Sequence, residues 1–215
     1  MAIKVYGSML STATLRVLLC LSEKDLDFEL INVELAAGEH KQPHILARNP
    51  FGQIPAFEDG DVELFESRAI SEYIARMYND KGTCLINTDP KKAAIESVYH
   101  KVKESHRFDP IMVKLAWELC MKRMLFGQKG DEVIVEAEKK RLESVLDVYE
   151  TRLKDNKYLG GDSFSLADLY HVPMIKLMMD TEIKKVFESR PNVNAWVEDI
   201  LARPACLKVF GVPVY

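Results

Sequence analysis

The chain has 215 residues, 47% of them hydrophobic, with a formal net charge of −4 and a sequence pI near 5.8. That length suits one or two globular domains with ample core, and the acidic balance excludes a nucleic-acid binder, because no basic stripe exists to replace phosphate counterions. No apolar run approaches the roughly 20 residues of a membrane helix, and the N-terminus carries no signal-peptide core, so a cytoplasmic protein with no membrane partner is expected.

In chain order, Ile3 to Tyr6 reads as a first strand and Gly7 to Leu10 as a loop. A helix begins near Ser11-Thr12, with its body from Arg16 to Ser22. Phe28 to Val33 gives a second strand, Gly38 to Lys41 a polar loop, and His44 to Arg48 a short helix. Next comes Asn49-Pro50-Phe51-Gly52-Gln53-Ile54-Pro55, a tight loop that leads into a strand over Ile54 to Phe57. Asp59-Gly60-Asp61 is a hairpin signal, so Val62 to Phe65 is the return strand. Pro55 has no ladder donor and requires an edge position or a special peptide geometry. Ser67 stands where an N-cap should, and Ala69, Ile70, Tyr73, Ile74 and Met77 mark one buried helix face.

Asn79 to Pro90 is a polar linker, and beyond it strand signals give way to helical patterns. Lys91 to Phe126 is one long pattern with a bend expected near Pro110, and Gly127 to Gly130 breaks it before a helix opening at Asp131. Val135, Leu142, Val145, Leu146, Tyr149 and Leu153 should form that helix's buried side. Ser165-Leu166-Ala167-Asp168 has the form of a capping box, with Phe164 and Leu169 placed as a hydrophobic staple. Pro191 to Arg203 is expected as the last regular helix. Cys20, Cys84, Cys120 and Cys206 are scattered, without a CxxC pair or zinc-ligand spacing, so free thiols and no metal are expected, with Cys20 and Cys120 filling core. His100 and His106, six apart, do not align as ligands and read as surface or interface residues.

Several residues carry chemistry as well as structure. Ser67 at a helix mouth attracts a carboxylate, while Glu66 before it would repel one, so the pair fits either a plain cap with a first-turn acid or the two charges of an amino acid end group. Ser11 opens the first helix and is either an N-cap or a hydroxyl donor aimed at a bound sulfur. Lys41 is a point charge suited to an exposed carboxylate, and the amide edge before Pro55 can pair with a peptide as an added strand.

The runs Asn49-Pro50-Phe51-Gly52-Gln53-Ile54-Pro55-Ala56-Phe57 and Leu64-Phe65-Glu66-Ser67-Arg68-Ala69-Ile70, with Ser11 and Arg16 five residues on, resemble cytosolic glutathione transferases, most of all the plant phi class. The resemblance implies an α/β thioredoxin-like domain over residues 1–80 and an all-α helical-bundle domain over residues 90–215. It implies a cis peptide bond before Pro55. It makes Ser11 the catalytic residue, with glutathione as co-substrate and no metal. Glutathione contacts carry over onto Ser11 and Thr12, onto His40 and Lys41 for the glycyl carboxylate, onto Gln53 and Ile54 for the cysteinyl part, and onto Glu66 and Ser67 for the γ-glutamyl end. Leu10, Thr12, Leu35, Trp117 and Met121 match the hydrophobic substrate site.

The activity so implied is conjugation of the glutathione thiolate to hydrophobic electrophiles, or reduction of organic hydroperoxides with it, by a homodimer. The rival is a noncatalytic carrier of flavonoid-like ligands on the same fold, in which Ser11 has no sulfur to activate. A scaffolding module that keeps only the fold would have no use for an intact Ser11, Gln53, Glu66 and Ser67.

Overall fold

A computed structural model describes residues 2–211. Apolar alternation puts β1 (Ile3–Gly7) at the centre of a four-stranded sheet, with Val5 fully buried. β2 (Phe28–Asn32) runs parallel to it from Ile3↔Phe28 to Gly7↔Asn32. The parallel crossover is made by α1 (Thr12–Glu23), buried along almost its whole length. β3 (Ala56–Asp59) lies antiparallel on the other side of β1, with Tyr6 opposite Ala56. β4 (Val62–Phe65) returns beside it after the two-residue turn Gly60-Asp61, where Gly60 takes the positive φ the turn needs. The order is β2-β1-β3-β4. Between β2 and β3 stand a 3₁₀ turn, Glu39–Lys41, and the short α2 (Pro43–Leu46).

The strand expected from Ile54 begins at Ala56, since Pro55 has no amide to give the ladder; the Ile54-Pro55 peptide is cis. The helix after β4, α3 (Ser67–Met77), buries Ser67, Ile70, Ser71, Ile74 and Ala75. Ala69 and Met77 are exposed, so the buried face is rotated from the expected one. Small hydroxyls cause the difference: Ser71 donates to the Ser67 carbonyl at 2.8 Å, which lets a polar residue sit in the packed face.

The described residues form two compact units, one holding the chain to Ile86 together with the segment from Arg203, the other Asn87–Ala202. The expected helical domain of residues 90–215 takes in the closing segment, whose last four residues, 212–215, lie outside the described residues. The described part of that segment, residues 203–211, groups instead with the sheet-bearing unit. There an additional helix, α12 (Pro204–Phe210), buries Ala205, Cys206 and Val209 and packs on α1, so Pro191 to Arg203 is not the last helix. The Arg203 guanidinium forks onto the Glu23 carboxylate at 2.6 and 2.7 Å. Burial pushes the Cys206 thiol up to about 12.

In the second unit, α4 (Pro90–Ser97), α5 (Asp109–Ala116) and α6 (Lys122–Phe126) are joined by π-helical turns over Val98–Phe108 and Trp117–Met121. The expected pattern from Lys91 to Phe126 is therefore one helical path, and its first wide-turned stretch ends just before Asp109-Pro110, where proline offers no amide to continue it. α7 (Glu132–Lys154) is capped by Asp131, whose carboxylate accepts from the amides of Val133 and Ile134. Its buried side includes Glu138, while Val145 is only half-buried. Burial alone would raise the Glu138 carboxyl, but hydrogen bonds from Lys114 at 2.7 Å and Arg141 at 2.8 Å outweigh it and hold the group below the usual carboxylate range.

α8 (Leu166–Leu169) opens with both halves of the capping box, Ser165 and Asp168. α9 (Val172–Met178), α10 (Lys184–Glu188) and α11 (Pro191–Leu201) complete this unit. His100 is buried edge-on against the Tyr170 ring, unlike the expected surface residue, whereas His106 is exposed. The four cysteines are free; Cys20 is buried and Cys120 only half-buried.

Candidate functional site

Three chain segments converge at one end of the sheet. The pairing of Tyr6 with Ala56 sets the end of β1 beside the start of β3, and the pairing of Ala56 with Phe65 sets the end of β4 beside both. The β1-to-α1 loop with Ser11, the loop through Gln53 and Ile54, and the Glu66-Ser67 entry to α3 therefore share that end. Both α1 and α3 begin there, so two helix N-termini offer amides and positive potential to an anion.

Ser11 is the N-cap of α1, in extended conformation, and its Oγ accepts from the Thr14 amide at 3.3 Å. The loop before it is closed by the Ser11 amide donating to the Ser8 carbonyl at 2.9 Å. A hydroxyl has one proton and two lone pairs, so the bond from Thr14 leaves the proton available to a further acceptor. Thr12 is half-buried one residue into the helix.

The loop after α2 is held by Asn49, which is 1% exposed. Its Nδ2 donates to the Gln53 carbonyl at 2.9 Å, and its Oδ1 accepts from the Phe51 amide at 3.1 Å. This clamp positions Gln53 and Ile54, and it is absent from the expected site residues. Its signal was the Asn-Pro pair, since an asparagine side chain bonds the backbone two residues on. The Gln53 side chain is exposed and Ile54 half-buried, and no hydrogen bond among the described residues uses the Ile54 amide.

Lys41 lies over the same loop. Its Nζ donates to the carbonyls of Phe51 at 3.1 Å and Gly52 at 2.9 Å. Beside it, His40 Nδ1 is buried without a hydrogen-bond partner. A lysine ammonium with a third donor direction and an unanswered imidazole nitrogen together suit a carboxylate.

At the entry to α3 the sequence expectation needs correcting. Glu66, exposed and at φ 71, takes the cap position without a side-chain cap bond, and Ser67 is the first helical residue. Ser67 Oγ accepts from Arg16 at 2.8 Å, so a buried guanidinium replaces the helix amide as its donor.

Of the residues matched to a hydrophobic substrate site, Leu10 and Leu35 are exposed in the first unit, at 61% and 38%. In the second unit Trp117 is exposed and packs edge-on to Phe126, and Met121 is half-buried. Among the described residues no group of three or more His, Cys, Asp or Glu could hold a metal, and no helix is long and apolar enough to cross a membrane. Chemically, the first unit can hold an extended peptide-like anion by both ends and offer a hydroxyl proton between them.

Comparison with known proteins gives matches in both units. A model of the glutathione S-transferase N-terminal domain matches residues 1–76, and one of the C-terminal domain matches residues 108–204. Glutathione S-transferase APIC of Nicotiana tabacum is 57% identical over 208 residues, which is 97% of each chain. The crystal structure of glutathione transferase F7 from Populus trichocarpa superposes with a TM-score of 0.93 at 47% identity, over 98% of both chains. A glutathione S-transferase I from maize, in complex with an atrazine glutathione conjugate, superposes with a TM-score of 0.90 at 36% identity, over 98% of this chain and 97% of that one.

Proposed function

The chain belongs to the glutathione S-transferase family, in its plant phi class, and conjugates the thiolate of glutathione to hydrophobic electrophiles; on that premise we propose which residues do the work. Ser11 donates its hydroxyl proton in a hydrogen bond to the bound sulfur and stays protonated itself. The observation that carries this reading is the bond from the Thr14 amide to Ser11 Oγ, which occupies the oxygen and frees the proton. An ordinary thiol with a pKa near 8.5 is only about 3% ionised at pH 7, and lowering that pKa by two units makes it roughly three-quarters ionised. The helix N-terminus of α1 favours the same negative charge.

Glutathione lies along the convergent end of the sheet. Its γ-glutamyl carboxylate meets the Ser67 hydroxyl and the α3 amides, and its ammonium meets Glu66. The cysteinyl part pairs with the free Ile54 amide as an added strand, with Gln53 beside it. The glycyl carboxylate takes Lys41 and His40. The thiol proton leaves to solvent, the sulfur forms a bond to the electrophilic carbon, and the leaving group or electron pair departs from that carbon. Exposed Leu10 and Leu35, with Thr12, give the first unit an apolar surface for the second substrate. The maize relative's complex with an atrazine glutathione conjugate supports an aryl electrophile as one such substrate.

Two further points rest on the family. A homodimer is proposed, to be read by light scattering, and a cytoplasmic location, with which four free thiols agree. The functional test is a panel of an aryl halide, an isothiocyanate and a hydroperoxide, each with glutathione, run on the wild type and Ser11→Ala. Turnover is expected to fall far more than glutathione affinity, which should stay within a few-fold. Equal turnover in the two proteins would show that a group other than Ser11 activates the sulfur.

A further inference from the structure

Gly52 sits under the Lys41 side chain. A Cβ built at position 52 would stand 2.8 Å from Lys41 Cδ, 2.9 Å from its Nζ and 3.0 Å from the His40 carbonyl oxygen. Contacts that short do not persist, and of these neighbours the flexible lysine chain yields first. Lys41 is therefore able to lie over the loop, and to bond both the Phe51 and Gly52 carbonyls, because residue 52 has no side chain. Those two bonds matter to the ammonium. A lysine head is normally a rotating point charge with three equivalent donors, and fixing two of them aims the third.

We propose that Gly52 is a positioning residue for glutathione binding: by leaving room for Lys41 to anchor on the Phe51 and Gly52 carbonyls, it aims the lysine's remaining N–H at the glycyl carboxylate. The inference rests on the assignment of that carboxylate to Lys41. Gly52 also has φ 58, a left-handed conformation that costs any other residue some backbone strain. Strain and displacement of Lys41 are separable, since asparagine tolerates positive φ better than alanine but brings the same Cβ.

The experiment is a double-mutant cycle on the full chain, read as glutathione Kd by calorimetry, with thermal unfolding in parallel. Gly52→Ala and Gly52→Asn are each expected to weaken glutathione binding by roughly tenfold, the size of a lost charge-assisted contact. In a Lys41→Met background neither should weaken it more than about twofold, because the group they displace is gone. The loss of thermal stability that comes from the left-handed φ, by contrast, should persist in the Lys41→Met background and be smaller for asparagine. With the glycyl ethyl ester of glutathione, which lacks the negative charge, Gly52→Asn should bind as the wild type does. Wild-type glutathione affinity in both position-52 variants, or an equal loss in the Lys41→Met background, would overturn the proposal. If Lys41→Met alone leaves affinity unchanged, the carboxylate assignment fails first and takes the inference with it.

Discussion

Arg16 and Ser67 are 51 residues apart in the chain, and the 2.8 Å bond between them decides what the serine hydroxyl does. With its oxygen held by a buried cation, the hydroxyl keeps its proton for a ligand, and the nearby charge makes it a stronger donor. Ser67→Ala should thus cost about 1.5 to 3 kcal/mol of glutathione binding, or roughly tenfold to a hundredfold in Kd. Calorimetry showing wild-type affinity would place the γ-glutamyl end elsewhere. The residue was legible in the sequence but its local role was not. Capping rules consult only the four residues around a helix start, and they assigned Ser67 the bond that Thr14 gives Ser11. No short window contains a guanidinium on another helix. Asn49 is the opposite case, because both its partners lie within four residues and its clamp was within reach of turn chemistry.

Among the elements, α8 was the most legible, since the serine and acid of a capping box lie three apart and report directly on the helix start. The structure adds what the box costs. Asp168 is fully buried, and although it accepts from the amides of Leu159 and Ser165 and from the Trp196 indole, burial raises its carboxyl to about 6. In an unfolded chain the same group titrates near 3.9. The folded state therefore binds the proton more tightly between those two values, and the stability that Asp168 gains from it is full below about 4 and lost as pH rises through about 6. The stability difference between wild type and Asp168→Asn, followed by chemical denaturation, should shift against the wild type over that window and level off above it. A difference independent of pH from 4 to 7 would mean that Asp168 titrates as an ordinary carboxyl. α9, α10 and α12 have no counterpart in the sequence reading; α12 starts with Pro204 at its first turn, a start signal that directly follows the expected helix over Pro191 to Arg203 and merges with it. Its docking depends on Glu23, far upstream, which no reading of the C-terminal segment alone supplies.

For the molecule as a whole, the two family models fall one on each unit, and the relatives match across nearly the entire length. The α/β unit was legible because turns, a hairpin and short strands leave compact local signatures, and the cis bond before Pro55 was implied by resemblance alone. The helical unit carried weaker signals, since periodicity marks a buried face without saying whether a Trp or Met on it faces a ligand. The proposed ionisation of the bound glutathione sulfur by Ser11 is open to direct measurement. It is tested by following thiolate absorbance of the enzyme–glutathione complex against pH, in the wild type and in Ser11→Ala. The wild-type complex should titrate about two units below a free thiol, and the variant should return most of the way to it. A Ser11→Ala complex that binds glutathione and still titrates at the wild-type pH would contradict the account.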